Sequence, residues 1–155
     1  MNNDLLFISY LRKNARETLT RISRKTQIPI STLYDKLRSN HNNIITKHTT
    51  LIDFARLGFN CRASVALKVE REQRDEIRGF LMKSPSVNNL FKINNGFDFM
   101  LDAVFHNVKE MEDFMDVLQS KFKILDQKTH FIIEEIEREN FLADPDMLAS
   151  NTVDY

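Results

Sequence analysis

The chain has 155 residues, 42% of them hydrophobic, with twelve Phe, six Met and no Trp, enough for one ordinary domain or a small one joined to a medium one. No run approaches the roughly eighteen apolar residues of a membrane span, the polar start Met1-Asn2-Asn3-Asp4 lacks the basic region of a secretory signal, and the lone Cys61, expected as a small buried strand residue, makes no internal disulfide; a cytoplasmic protein is expected. The 22 basic and 22 acidic residues cancel overall, but the first fifty residues carry nine Lys or Arg against three Asp or Glu and the rest thirteen against nineteen, a head of +6 on a body of −6. Such asymmetry points to a polyanion, commonly nucleic acid, that meets the head alone.

Asp4 is placed to cap a first helix in which Phe7, Ile8 and Leu11 recur at helical spacing, closed near Asn14 and Ala15. A second begins near Thr18, turning Leu19, Ile22 and Thr26 inward and Arg21, Arg24 and Lys25 outward, and stops at Pro29, which has no N–H to donate. Ser31 or Thr32 opens a third, with Leu33 and Leu37 inward and Tyr34, Asp35, Lys36 and Arg38 on the exposed side. Two short helices across a tight turn, supported by another, predict a helix-turn-helix, whose second member fits the major groove of DNA. Periodicity alone is met equally by a three-helix knob with a solvated face. The positive charges, however, are dispersed through the helices and on to Lys47, as phosphate contact needs. After turn-forming residues 40–43, the β-branched stretch 44–52 predicts a strand or small wing with the linker attached, and a brief helical piece from near Phe54 ends at Leu57-Gly58-Phe59.

In a second unit Cys61, Ala63, Val65, Leu67 and Val69 alternate with Arg62, Ser64, Ala66, Lys68 and Glu70, a half-buried strand. Ile77, Phe80 and Leu81 form a helical stripe over 73–83, ended by Ser84-Pro85, and 87–93 reads as a strand. Beyond the Asn94-Asn95-Gly96 turn, Phe97, Phe99, Leu101, Ala103 and Phe105 alternate in another. Val108, Met111, Phe114, Met115 and Leu118 form a helix stripe, a core face rather than a cofactor box, and a last strand spans about 128–137. The order βαββαβ predicts a ferredoxin-like antiparallel sheet with two helices on one face, the other face apolar enough to need a partner. The fold class is therefore α+β. A winged helix-turn-helix domain is expected over 1–53, a linker over 54–60, the ferredoxin-like domain over 61–139 and a tail over 140–155, loose or a subunit arm.

In order and spacing the chain resembles the Lrp/AsnC, or feast/famine, transcription regulators over roughly residues 4–138. Asp4-x-x-Phe7-Ile8-x-x-Leu11 resembles the family's opening helix and residues 16–38 its helix-turn-helix. Ile44-Ile45-Thr46-Lys47-His48-Thr49-Thr50-Leu51-Ile52-Asp53, followed by Leu57-Gly58, resembles its connecting strand. The resemblance implies sequence-specific binding of double-stranded promoter or operator DNA by a homodimer, assembly into octamers, and control by an amino acid or related small-molecule effector. No other cofactor, no metal and no membrane partner is expected. By position it puts Ser31, Thr32, Tyr34, Asp35, Lys36 and Arg38 on the recognition helix, with Arg16, Arg21 and Lys47 as further DNA-binding residues. Effector contacts fall at Asn95, Gly96, Phe97 and Asp98, where the family's Gly-x-aromatic-Asp keeps its aromatic and its Asp but begins with Asn. Asp98 is read either as a turn residue bonding nearby backbone amides, or as the carboxylate that holds an amino acid's ammonium group while Asn95 and Gly96 offer backbone donors. Further departures are Gln27 for the usual Gly of the helical turn, Pro29 for a capping Ser, and Asp35 where a basic residue is common; Asp35 is suited to reading cytosine or to repelling phosphate.

His41, His48, His106 and His130 show neither HExxH nor paired-Cys spacing, and there is no Gly-rich phosphate loop or Gly-x-Ser-x-Gly turn, so no catalytic residue is assigned and no enzyme is expected. The rival from the enzyme class is the sirohaem decarboxylase group, similar in architecture, whose Tyr-Asn-Leu-Trp-Phe-like strand would match Phe97-Asp98-Phe99-Met100-Leu101 here. A third class, a nucleoid-organising DNA-binding protein, would show weak sequence preference and large assemblies.

Overall fold

The computed structural model describes residues 3–40 and 43–150. Its elements are α1 (Asn3–Lys13), α2 (Leu19–Thr26), α3 (Ile30–Asn40), β1 (Cys61–Val69), α4 (Arg74–Lys83), β2 (Val87–Lys92), β3 (Phe99–Phe105), α5 (Val108–Lys121), β4 (Ile124–Phe131) and α6 (Pro145–Ser150). They form two compact units: Ile52–Glu135, and the chain up to Leu51 together with the stretch from Ile136 onward. The division departs from the expected boundaries. Residues 54–60 belong to the sheet unit rather than to a linker, and the stretch from Ile136 joins the helices.

In the helical unit Phe7, Ile22, Ile28 and Leu33 close on one another, with Tyr10, Leu11, Leu19 and Leu37 packed around them. Thr18 caps α2, its hydroxyl accepting the Arg21 N–H at 3.3 Å. Gln27 ends α2 in the left-handed region at φ +59°, a conformation that costs any residue with a Cβ. Local bonds offset that cost: the Gln27 N–H donates to Ser23 O at 2.8 Å and the side-chain amide to Arg24 O at 2.9 Å. Ser23 Oγ donates to Ile28 O at 2.6 Å, closing the turn from its other side. The third helix starts at Ile30, ahead of the expected Ser31 or Thr32, because the Pro29 carbonyl already accepts the Leu33 N–H at 3.1 Å. Asp4 does not cap α1. It sits in the first turn and pairs with Lys36 of α3 at 2.6 Å.

Residues 44–52 form no strand; Ile45 makes one isolated bridge. Their β-branched side chains favour extended backbone, but a ladder needs a second strand to satisfy it. Of the expected turn at 40–43, His41 and Asn42 lie outside the described residues.

The stretch after Arg138 is neither loose nor detached. Arg12 of α1 grips it, Nε donating to the Phe141 carbonyl at 2.5 Å and Nη2 to the carbonyl and carboxylate of Glu139 at 3.0 and 3.1 Å. Lys13 lies 4.0 Å from Asp144 and 3.8 Å from Asp146, and α6, opened by the buried Pro145, packs on α1. Residues 151–155 of the expected tail lie outside the described residues.

The sheet runs β2-β3-β1-β4, each neighbouring pair antiparallel, which is the ferredoxin-like order. Every second residue of β1 from Cys61 to Val69 and of β3 from Phe99 to Phe105 is buried, with Val65 opposite Leu101 at the centre. Ile77 and Leu81 of α4 and Met111, Met115 and Leu118 of α5 cover that stripe. β3 begins at Phe99, two residues later than the alternation predicts, and β4 spans Ile124–Phe131 rather than 128–137. As an edge strand β4 is mostly exposed, so its sequence carries no clean alternation. The opposite sheet face is mixed. Register puts Arg62, Ser64, Ala66 and Lys68 there beside Asn89, Phe91, Met100, Asp102, Val104, Asp126, Lys128 and His130, with Ala66, Phe91, Met100 and Val104 as its apolar members.

Candidate functional site

The core packing of the helical unit decides which side of α3 is left over. Leu33 is fully buried and Leu37 half-buried, so the opposite side presents Ser31, Thr32, Tyr34, Asp35 and Arg38 to solvent. Among the described residues none of these five side chains makes a hydrogen bond or ion pair. Lys36 corrects the expectation that it shares the exposed side: its ammonium group is tied to Asp4 and the side chain is only 21% exposed. Ile30 belongs to the exposed side and was missed; its place one turn before Tyr34 is the signal that would have found it.

The remaining basic candidates differ from one another. Arg16 is exposed, its N–H accepted by Asn14 Oδ1 at 3.0 Å. Arg21 pairs with Glu17 one turn earlier at 3.2 Å. Lys47 is exposed beside a cleft of about 630 Å³ in the helical unit, whose walls include Ile8, Leu11, Arg12 and Glu137.

In the sheet unit the turn between β2 and β3 holds Asn95 and Gly96 at φ +61° and +90°, both exposed. Phe97 is half-buried, with the Lys128 ammonium group 5.2 Å from its ring centroid, a cation–π contact. Asp98 is occupied on both oxygens: Oδ2 accepts the Val69 N–H at 2.9 Å and Oδ1 meets the Arg74 guanidinium at 2.6 Å, the side chain only 14% exposed. Its own N–H donates to Leu67 O at 2.8 Å and its carbonyl accepts the Ile93 N–H at 3.0 Å. The amide it bonds lies at the end of β1, not near Gly96. Asp98 thus fastens the turn to β1 and to the start of α4, and Arg74 is a partner that sequence spacing gave no means of naming.

The histidines are scattered. His41 lies outside the described residues, His48 and His130 are exposed, and His106 stacks on Phe59 at 4.3 Å while its Nδ1 meets Glu110 at 3.0 Å. The backbone N–H of His106 and then its ring hold the Glu110 carboxyl below the usual range. Among the described residues no group of three or more His, Cys, Asp or Glu is arranged to hold a metal, and no helix is long and apolar enough to cross a membrane.

A helix-turn-helix unit followed by a ferredoxin-like βαββαβ unit defines a class of two-part α+β proteins. The family model described as the Lrp/AsnC ligand binding domain matches residues 62–141, just over half of the sequence. The chain belongs to the Lrp/AsnC family of transcription regulators. It is 25% identical over 118 residues to the HTH-type transcriptional regulator FL11 of Pyrococcus furiosus, covering 76% of this chain and 78% of that protein. It is 22% identical over 147 residues to the glutamate uptake regulatory protein of Zymomonas mobilis, covering 92% and 90%. In fold it is similar to a transcriptional regulator of Neisseria meningitidis in complex with L-Met, with a TM-score of 0.82 and 20% identity over 89% of this chain and 92% of that one. The LrpC protein of B. subtilis superposes with a TM-score of 0.78 at 21% identity, covering 86% and 94%.

Proposed function

We propose that this regulator binds operator DNA in the cytoplasm as a homodimer, with α3 as the recognition helix, and that an amino acid or related small molecule acting at the turn of residues 95–98 alters its assembly. The observation that carries the reading is the exposed side of α3: Ser31, Thr32, Tyr34, Asp35 and Arg38 have no partner within the described residues, and they lie in the first fifty residues, which carry the +6 charge. Arg16, Arg21 and Lys47 supply phosphate contacts, which set register without reading sequence. Lys36 acts through Asp4 by tying α1 to α3, so it is a positioning residue.

For the effector, Asn95 and Gly96 offer exposed backbone donors to a carboxylate, and Phe97 supplies an apolar wall. The relative with bound L-Met and the glutamate uptake regulator support an amino acid as the class. Asp98 shapes this turn through Val69 and Arg74, and its carboxylate is not spare for the ligand's ammonium group. Two dimer-related α3 helices would read half-sites one helical turn, or a multiple of it, apart, and an effector shifts the balance between assemblies only by binding one of them more tightly. Relatives named as regulators support a binding role over an enzymatic one.

Fluorescence anisotropy on DNA from upstream of the protein's own gene, across a salt series and an amino-acid panel, tests the reading. Affinity should fall steeply with salt, and Lys47→Ala should reduce the slope by about one unit where Lys36→Ala changes it little. No binding at low salt would refute DNA recognition. An unchanged response to every amino acid in wild type and Asp98→Ala alike would refute the effector turn.

A further inference from the structure

The side of α3 turned from the core sets apolar side chains beside charged and hydroxyl-bearing ones. Ile30 and Tyr34, one helical turn apart, are 48% and 60% exposed, next to Ser31, Asp35 and Arg38 at helical spacing. Asp35 has no cation to neutralise it among the described residues, because the adjacent Lys36 is committed to Asp4. An apolar pair beside an uncommitted carboxylate is poorly suited to phosphates, and the +6 charge of the first fifty residues supplies the general attraction to DNA. Its chemistry suits base edges.

In the major groove only thymine presents a methyl group, and only cytosine presents an amino donor without an acceptor beside it. An ionised carboxylate accepts and never donates, so it is repelled by guanine O6 and N7 and meets adenine with one oxygen facing N7. Arginine, with its fork of donors, matches guanine O6 and N7. Side chains one helical turn apart have Cβ atoms about 5–6 Å from each other, a separation of one to two base-pair steps at ~3.4 Å each. Resting on the reading of α3 as the recognition helix, we infer that Ile30 and Tyr34 contact thymine methyl groups while Asp35 accepts from a cytosine amino group and Arg38 donates to guanine. Each half-site is then a short thymine-containing run beside a C·G step.

The test uses the full chain and duplexes selected from a randomised pool. Replacing the half-site thymines by uracil removes only the methyl groups and should weaken binding about fourfold per contacted methyl; in Ile30→Ala/Tyr34→Ala the same replacement should cost almost nothing, the mark of a coupled pair. Asp35→Asn should change the base selected at one position of each half-site from cytosine to adenine. All three side chains are exposed, so these variants should keep the wild-type melting profile. Equal binding of thymine and uracil duplexes, with Asp35→Asn selecting unchanged sequences, would overturn the inference and leave DNA recognition standing. A wild-type protein that selects no duplex at low salt would instead remove the reading of α3 beneath it.

Discussion

The sheet unit and the helical unit solve the same problem of marginal stability by different means. Beneath its two helices the sheet unit buries a continuous layer from Cys61 to Phe122. The helical unit closes on Phe7, Ile22, Ile28 and Leu33 and adds polar ties: Arg12 to Glu139 and Phe141, Lys36 to Asp4, Ser23 to Ile28. The difference teaches that a small helical head need not be complete in sequence; this one takes in a segment from more than a hundred residues further along.

The largest effect should come from the layer that depends on packing alone. Leu101→Ala, at a fully buried position opposite Val65, should cost about 2–5 kcal/mol in chemical denaturation of the full chain. A loss below about 1 kcal/mol would mean the layer is looser than its burial implies. In the helical unit the sharper probe is a tie. Arg12→Ala removes three hydrogen bonds, but the side chain is a third exposed, so after solvent screening about 1 kcal/mol is expected, read as earlier loss of helical circular dichroism on heating. Gln27→Gly should move the other way, raising stability by about 0.5 kcal/mol because glycine adopts φ +59° without a Cβ penalty, less the entropy it adds to the unfolded chain and the lost bond to Arg24.

The smallest effect is a titration in the sheet unit. The hydrogen bond from Lys123 and then its charge hold the Glu70 carboxyl below the ordinary range. A depressed carboxyl stabilises the fold above its unfolded pKa and loses that contribution as pH falls through the folded one. Glu70→Gln should therefore melt slightly below wild type at neutral pH and level with it in strong acid; equal melting at both would show that the exposed pair contributes nothing.

Legibility in the sequence follows the same division. β1, β3 and α5 were readable because each buries one face, and burial imposes a period of two or 3.6 on the residue order. β4 lies at an edge, and residues 44–52 have the composition of a strand without a second strand beside them. In both, local preference was visible and tertiary context decided. For the candidate site, the exposed side of α3 followed from the buried one, except that Lys36 was claimed by Asp4, 32 residues away. Likewise Asp98 stood out as a turn residue, but its bonds to Val69 and Arg74 come from the fold and not from spacing. The segment joined to Arg12 left no periodic trace, since its bonds run largely through backbone carbonyls that any residue offers.

Cys61 is the chain's single cysteine, 5% exposed in β1, and burial pushes its thiol above the ordinary value. Because thiolate is the reactive form, alkylating reagents should pass over it while the fold holds. A cysteine introduced on the open side of α3 would then be the one site to take a fluorophore, with no native residue replaced beforehand, and the unmasking of Cys61 would serve as a built-in clock for global opening.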